Sequence, residues 1–159
     1  MKRPQLAMSL TVLLFMLSAS GCTGNGGNFS ADNEKELRNV YETYLAASVI
    51  AYQTNDISPI KDMIVGQELQ NNITHIESRK ESGIVRGEIS TITRFEVLYY
   101  GDTIAAIQVD RRYIALEKGE KVEDFPDYLR QSDTQRCELV RETTEQPWKI
   151  NYCEYVITN

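Results

Sequence analysis

The sequence predicts an α+β domain, with helices first and an antiparallel sheet after them. Three observations carry that prediction. Apolar residues recur every three or four positions from Asp32 to about Gln53, and again from about Gln67 to Glu81, the period of a helix that buries one face. From Glu88 onward the period drops to two, which is the mark of strands. The connections between those strands are polar, Gly101-Asp102 being the shortest, so successive strands pair as antiparallel neighbours.

The first helix presents Leu37, Val40, Tyr41, Tyr44, Leu45, Ser48 and Tyr52 as one stripe, and Val49 and Ile50 widen it. Asn33 followed by Glu36 offers a capping box, with Asp32 and Ser30 as competing caps. Thr54-Asn55-Asp56-Ile57 breaks the helix. Ser58-Pro59 then reads as a cap and first-turn proline, opening a short helix that ends at Gly66. Leu69, Ile73 and Ile76 form the seam of a third helix, stopped at Gly83. Ile84-Val85-Arg86 reads as a short edge strand. Glu88 to Tyr100 is a long strand with Ile89, Thr91, Thr93, Phe95, Val97 and Tyr99 on one side. Thr103 to Leu116 is the next, and its alternation slips around Asp110-Arg111-Arg112, which predicts a bulge or twist. Glu117 to Asp133 is a charged excursion with a helical turn near Asp127 to Arg130. Thr134 to Arg141 and Trp148 to Ile157 complete the sheet.

The first twenty-one residues have a different character. Met1-Lys2-Arg3 is a positive head, Leu6 to Leu17 an apolar run, and Ser18-Ala19-Ser20-Gly21 a small-residue site, which is the layout of an export signal. The run is short of the ~20 residues a helix needs to span a bilayer. The chain therefore divides into a signal (1–21), a glycine- and asparagine-rich tether (22–30) and a folded domain (31–159). Ala19-Ser20-Gly21-Cys22 resembles the lipobox of bacterial lipoproteins. That resemblance implies a diacylglycerol thioether on Cys22, cleavage before it, and membrane lipid as the first partner. The protein is then expected on the cell membrane, lipid-anchored, facing the extracellular or periplasmic side. A secreted, unlipidated product is the alternative.

From Cys22 onward the chain keeps fifteen Lys plus Arg (17 less Lys2 and Arg3) against 23 Asp plus Glu, a formal charge of −8. Nucleic-acid binding needs cationic neutralisation of phosphates, so that class is excluded. No nucleotide loop or metal-ligand spacing is present, and neither cofactor nor metal is expected.

Cys137 and Cys153 lie on the last two strands. A loop that sets Glu142 opposite Trp148 also sets Cys137 opposite Cys153, and facing positions in an antiparallel pair meet disulfide distances. An exported domain can keep such a bond. The alternative is two small buried apolar residues. His75, the only histidine, flanks the seam of the third helix and reads as a half-exposed helical residue.

The order of elements resembles the NTF2-like superfamily, a cone in which N-terminal helices pack against a curved antiparallel sheet. Four stretches also resemble the C-terminal extracellular domain of the TcaA family of Gram-positive surface proteins: Tyr44-Leu45 with Ala51-Tyr52, Asn55-Asp56-Ile57-Ser58, Asp110-Arg111-Arg112-Tyr113-Ile114, and Trp148-Lys149-Ile150. The resemblance covers about residues 33–157. It implies that Tyr44, Tyr52, Phe95, Tyr99, Asp110, Tyr113 and Trp148 line or approach the cone, either as packed core or as a ligand pocket. Asp110 is the best placed carboxylate for isomerase-like chemistry, although pairing with Arg94, Arg111 or Arg112 is its commoner role. Tyr100, Tyr128 and Tyr155 read as surface aromatics suited to a partner. The expected function is a non-catalytic binding or accessory domain at the bacterial envelope, in cell-wall stress or maintenance, its partner an envelope protein, peptide or small ligand. The alternative is a small-molecule carrier or isomerase-like enzyme that uses the cone.

Overall fold

The computed structural model describes residues 29–156. The export signal, Cys22, most of the predicted tether and the last three residues lie outside the described residues. Two helices, α1 (Ala31–Thr54) and α2 (Gly66–Glu81), precede four strands: β1 (Arg86–Tyr100), β2 (Ile104–Glu117), β3 (Gln131–Val140) and β4 (Lys149–Tyr155). The strands form one antiparallel sheet in sequence order. The predicted α+β architecture is the observed one.

Ser30 wins the competition to cap α1. Its hydroxyl accepts from the Asn33 backbone N–H, and the Asn33 side chain accepts from the Ser30 N–H at 2.9 Å. Asn55 ends the helix in the left-handed region, φ 51°. α1 buries Leu37, Tyr41, Tyr44, Leu45, Ser48 and Ala51, the stripe read from the sequence.

The helix expected from Ser58 to Gly66 is not formed. The segment runs as consecutive turns, with Ser58 tied by its N–H and hydroxyl to the Asp56 carboxylate. So short a helix is unstable alone, and β4 offers its backbone a better partner. Ile150 N–H donates to Met63 O and Val65 N–H to Ile150 O, each at 2.9 Å. Gly66 therefore begins α2 rather than ending a helix. Its φ is +52°, and a Cβ there would meet the Asn151 side chain.

The sheet departs from simple alternation in β1. Register shifts fall between Ile92 and Arg94 and between Val97 and Tyr99, so Thr93 and Leu98 are extra residues. Each resets the inward face. Ile92, Phe95, Val97 and Tyr100 pack on the core, whereas Thr91, Thr93 and Tyr99 are exposed. The irregularity expected at Asp110–Arg112 thus belongs to the partner strand, opposite those residues. In β2 itself the buried positions change parity, from Ala105, Ile107, Val109 and Arg111 to Ile114 and Leu116. The predicted edge strand at 84–86 reduces to Arg86, the first residue of β1; Ile84 and Val85 stay exposed. β3 starts three residues earlier than expected, after two single 3-10 turns, Val122–Asp124 and Asp127–Leu129.

Cys137 and Cys153 face each other and are bonded, S–S 2.02 Å. The register that brings them together differs from a plain hairpin. A shift at Glu138/Leu139 leaves Asn151 unpaired, and beyond it Leu139 meets Ile150. Between the sheet and α1, Leu37, Tyr41, Ile60, Ile64, Ile107, Leu139 and Ile150 close the core completely.

Candidate functional site

The core does not extend to the wide end of the fold. Between the C-terminal half of α1, α2 and the inner face of the sheet lies an open cleft of about 650 Å³, the size of a small-molecule site. Its floor is polar. The stripe that α2 buries is Glu68, Asn72 and Ile76, four residues apart; Leu69 and Ile73 of the expected seam are only partly covered. Glu68 Oε1 accepts from Tyr44 Oη at 2.8 Å and from Asn72 Nδ2 at 2.9 Å, and Glu68 Oε2 accepts from the Cys153 N–H at 3.2 Å. Tyr52 Oη donates to Asn72 Oδ1. One carboxylate thus ties both helices to the disulfide strand.

The sheet side carries a second polar cluster. Arg111 is only 4 % exposed. Its Nε and one terminal nitrogen bind both oxygens of Asp133, at 2.8 and 2.9 Å, and its other terminal nitrogen donates to Ser90 Oγ at 3.2 Å. Glu88 stands 3.5 Å away. Next to it, Tyr41 Oη donates to Gln135 Oε1 at 2.6 Å. At the mouth, the Tyr52 ring meets the His75 ring edge-on at 5.4 Å and takes the Arg79 guanidinium on its face at 5.2 Å.

Electrostatics follow from burial. Tyr44 is held well above the usual phenol range, first by desolvation and then by the Glu68 carboxylate. Tyr52 and Tyr41 are raised for the same primary reason. Burial opposes the Arg111 charge, but the Asp133 carboxylate outweighs it and the group stays a cation. Desolvation and the neighbouring Arg79 cation push His75 down, so its imidazole is neutral at pH 7.

Of the seven residues expected in the cone, Tyr44 and Tyr52 line the cleft. Trp148 and Phe95 belong to the packed core, the other place expected for them, and Tyr113, Tyr99 and Asp110 lie outside both. Trp148 is packed in the core between the Tyr100 ring and Arg141, whose guanidinium lies 4.1 Å from the Trp148 ring centroid. Phe95 is partly buried under Arg38. Tyr113 stacks on Arg111 and bonds Gln131, one step from the cleft. Tyr99 is turned outward by the Leu98 bulge. Asp110 is placed by pairing beside Arg94 and Thr134, on the side of the sheet away from Arg111. It accepts from Thr134 Oγ1 at 2.7 Å, not from an arginine; Arg94 pairs with Glu96 and Arg111 with Asp133. Tyr155 lines the cleft mouth and Tyr100 packs on the core, while the Tyr128 side chain lies outside the described ones.

Glu68, Asn72, Arg111 and Gln135 are the site residues that periodicity missed. The four-residue spacing of Glu68, Asn72 and Ile76 was the available signal. Among the described residues no group of His, Cys, Asp and Glu is arranged to hold a metal ion, and no helix is long and apolar enough to cross a membrane.

No family model matches the chain, and no curated protein matches it. Solved structures do. The intermembrane-space region of the chloroplast protein ARC6 aligns with a TM-score of 0.53 at 13 % identity, over 79 % of this chain and 97 % of that one. A candidate aromatic ring hydroxylase from Novosphingobium aromaticivorans aligns at 0.51 and 14 %, over 82 % and 93 %. Bd1075 of Bdellovibrio bacteriovorus aligns at 0.50 and 10 %, over 79 % of this chain and 41 % of that one. At these identities the likeness speaks of fold alone, and the fold is α+β of the NTF2-like kind.

Proposed function

We propose that this chain is a lipid-anchored protein of the bacterial envelope whose NTF2-like domain binds a small ligand without transforming it. The carrying observation is the state of the cleft: open, yet with its buried carboxylate already committed. Glu68 Oε1 accepts two hydrogen bonds and Oε2 one, all from groups fixed in the fold, so this carboxylate is already committed to holding α1, α2 and β4 together. Asp133 is likewise engaged by Arg111, and Asp110 stands outside the cleft. What the cleft offers a ligand is shape, the Tyr52 and Tyr155 rings, and cationic and neutral donors at the mouth. The carrier reading shares this cleft; the isomerase reading would have to take its base from the mouth, from His75 or Glu88, because the buried carboxylates are engaged.

The compartment rests on the lipobox-like Ala19-Ser20-Gly21-Cys22, on the export signal before it, and on the Cys137–Cys153 bond, which suits an oxidising location. The likeness to the TcaA extracellular domain supports a role in maintaining the cell wall under stress. Fractionation tests the anchoring: wild type is expected in the membrane fraction through high-salt washes, and Cys22→Ala in the soluble fraction. Identical partitioning of the two opposes it. Native mass spectrometry of protein extracted from membranes tests the cleft. A small molecule that stays bound and chemically unaltered supports binding; conversion of that molecule on incubation opposes it.

A further inference from the structure

The hairpin joining β1 to β2 carries apolar side chains that the fold leaves uncovered. Leu98 is 43 % exposed, Tyr99 51 % and Ile104 46 %. Leu98 and Tyr99 are consecutive, and Tyr99 reaches back over the turn: a Cβ on Gly101 would come 2.8 Å from Tyr99 Oη and 3.3 Å from the Ile104 backbone oxygen. Phe29, 49 % exposed, stands at the same end, its ring 5.9 Å from that of Tyr100. Phe29 is also where the chain from Cys22 arrives. Seven residues of chain span at most about 25 Å when fully extended.

We propose that this end of the domain, Phe29 with Leu98, Tyr99 and Ile104, seats on the lipid bilayer that holds the Cys22 acyl chains. The inference rests on the anchoring reading above. A tether this short keeps the hairpin within reach of the headgroups, so a weak apolar contact is made at high effective concentration. Phenol and phenyl rings suit the boundary between water and hydrocarbon. The contact is apolar rather than Coulombic. Arg141 N–H and Nε donate to Thr103 O and Asp102 O, which brings the β3–β4 connection, with Glu142 and Glu145, to the same end. Anionic lipid would be repelled there. The seating also orients the site. With a rise of 1.5 Å per residue, Tyr44 and Tyr52 lie about 20 to 35 Å along the helix from Phe29. The cleft then sits at the end of the domain away from the membrane.

The test uses the full, acylated chain in vesicles of phosphatidylcholine brominated near the top of its acyl chains. Tyr99→Trp introduces an indole at the hairpin, and Val85→Trp one at the opposite end, on an apolar residue of comparable exposure. Trp148, at 2 % exposure, supplies the background in both. The indole from Tyr99→Trp is expected to lose most of its emission, less so when anionic lipid is mixed in, and that from Val85→Trp to keep it. Mass analysis of the N-terminal peptide from the same sample separates the two claims. An acylated Cys22 with an unquenched Tyr99→Trp, or with Val85→Trp quenched instead, overturns the seating alone. An unacylated Cys22 overturns the anchoring, and the seating with it.

Discussion

Raising the pH should unfold this domain steeply, because it buries phenols in the folded state only. Tyr41, Tyr44 and Tyr52 are held above the ordinary phenol value, each chiefly by burial. An unfolded chain releases those three protons near pH 10, whereas the folded chain keeps them. Their contribution to stability is thus complete below about pH 10 and is lost as the pH climbs toward the folded values. With three protons' difference the slope is at most about 4 kcal/mol per pH unit. A domain stabilised by about 10 kcal/mol would be exhausted within roughly two to three units, near pH 12. Urea unfolding followed by circular dichroism at stepped pH measures the slope, and phenolate absorbance of the native protein counts the protected tyrosines. Tyr44→Phe should remove about a third of the slope. The reasoning is refuted if all nine tyrosines ionise near pH 10 in the folded protein while the urea midpoint stays constant.

Three further variants probe what holds the cleft. Replacing Cys137 and Cys153 by serine opens a loop with a sequence separation of 16, and should lower stability by about 3 kcal/mol in urea unfolding; an unchanged midpoint would mean that the bond contributes nothing. Asp133→Ala leaves the buried Arg111 guanidinium with only Ser90 and the more distant Glu88. It should cost about 3 kcal/mol, whereas Arg111→Met with Asp133→Leu should recover much of that loss. Equal loss in both variants would mean that packing, not charge, holds this corner.

Much of the architecture was legible because it is written in local periods. The α1 stripe, the change of period after Gly83 and the facing of Cys137 and Cys153 all follow from spacing along one or two neighbouring segments. The cleft was less legible, for two physical reasons. Its floor is Glu68 and Asn72, and an apolar period passes over polar residues; their burial is tolerable only because Tyr44, Tyr52 and the Cys153 N–H arrive from distant parts of the chain. The bulges at Thr93 and Leu98 also invert the faces of β1, so strict alternation carries Tyr99 inward when the fold turns it out and brings Tyr100 in. Asp110 shows the same limit on β2, where the buried arginine beside it, not the aspartate, reaches the cleft. The turns from Ser58 to Met63 escape the pattern because a proline cap signals a helix only when no strand edge competes for the same backbone.

Anchoring through Cys22 is the claim on which location, orientation and partner all depend. Its most direct test is the mass of the N-terminal peptide of the mature protein, isolated from the membranes of the cells that make it. The expected peptide begins at Cys22 and carries a diacylglycerol thioether, with or without a third acyl chain on the amine. A peptide that begins elsewhere, or an unmodified Cys22, would contradict it.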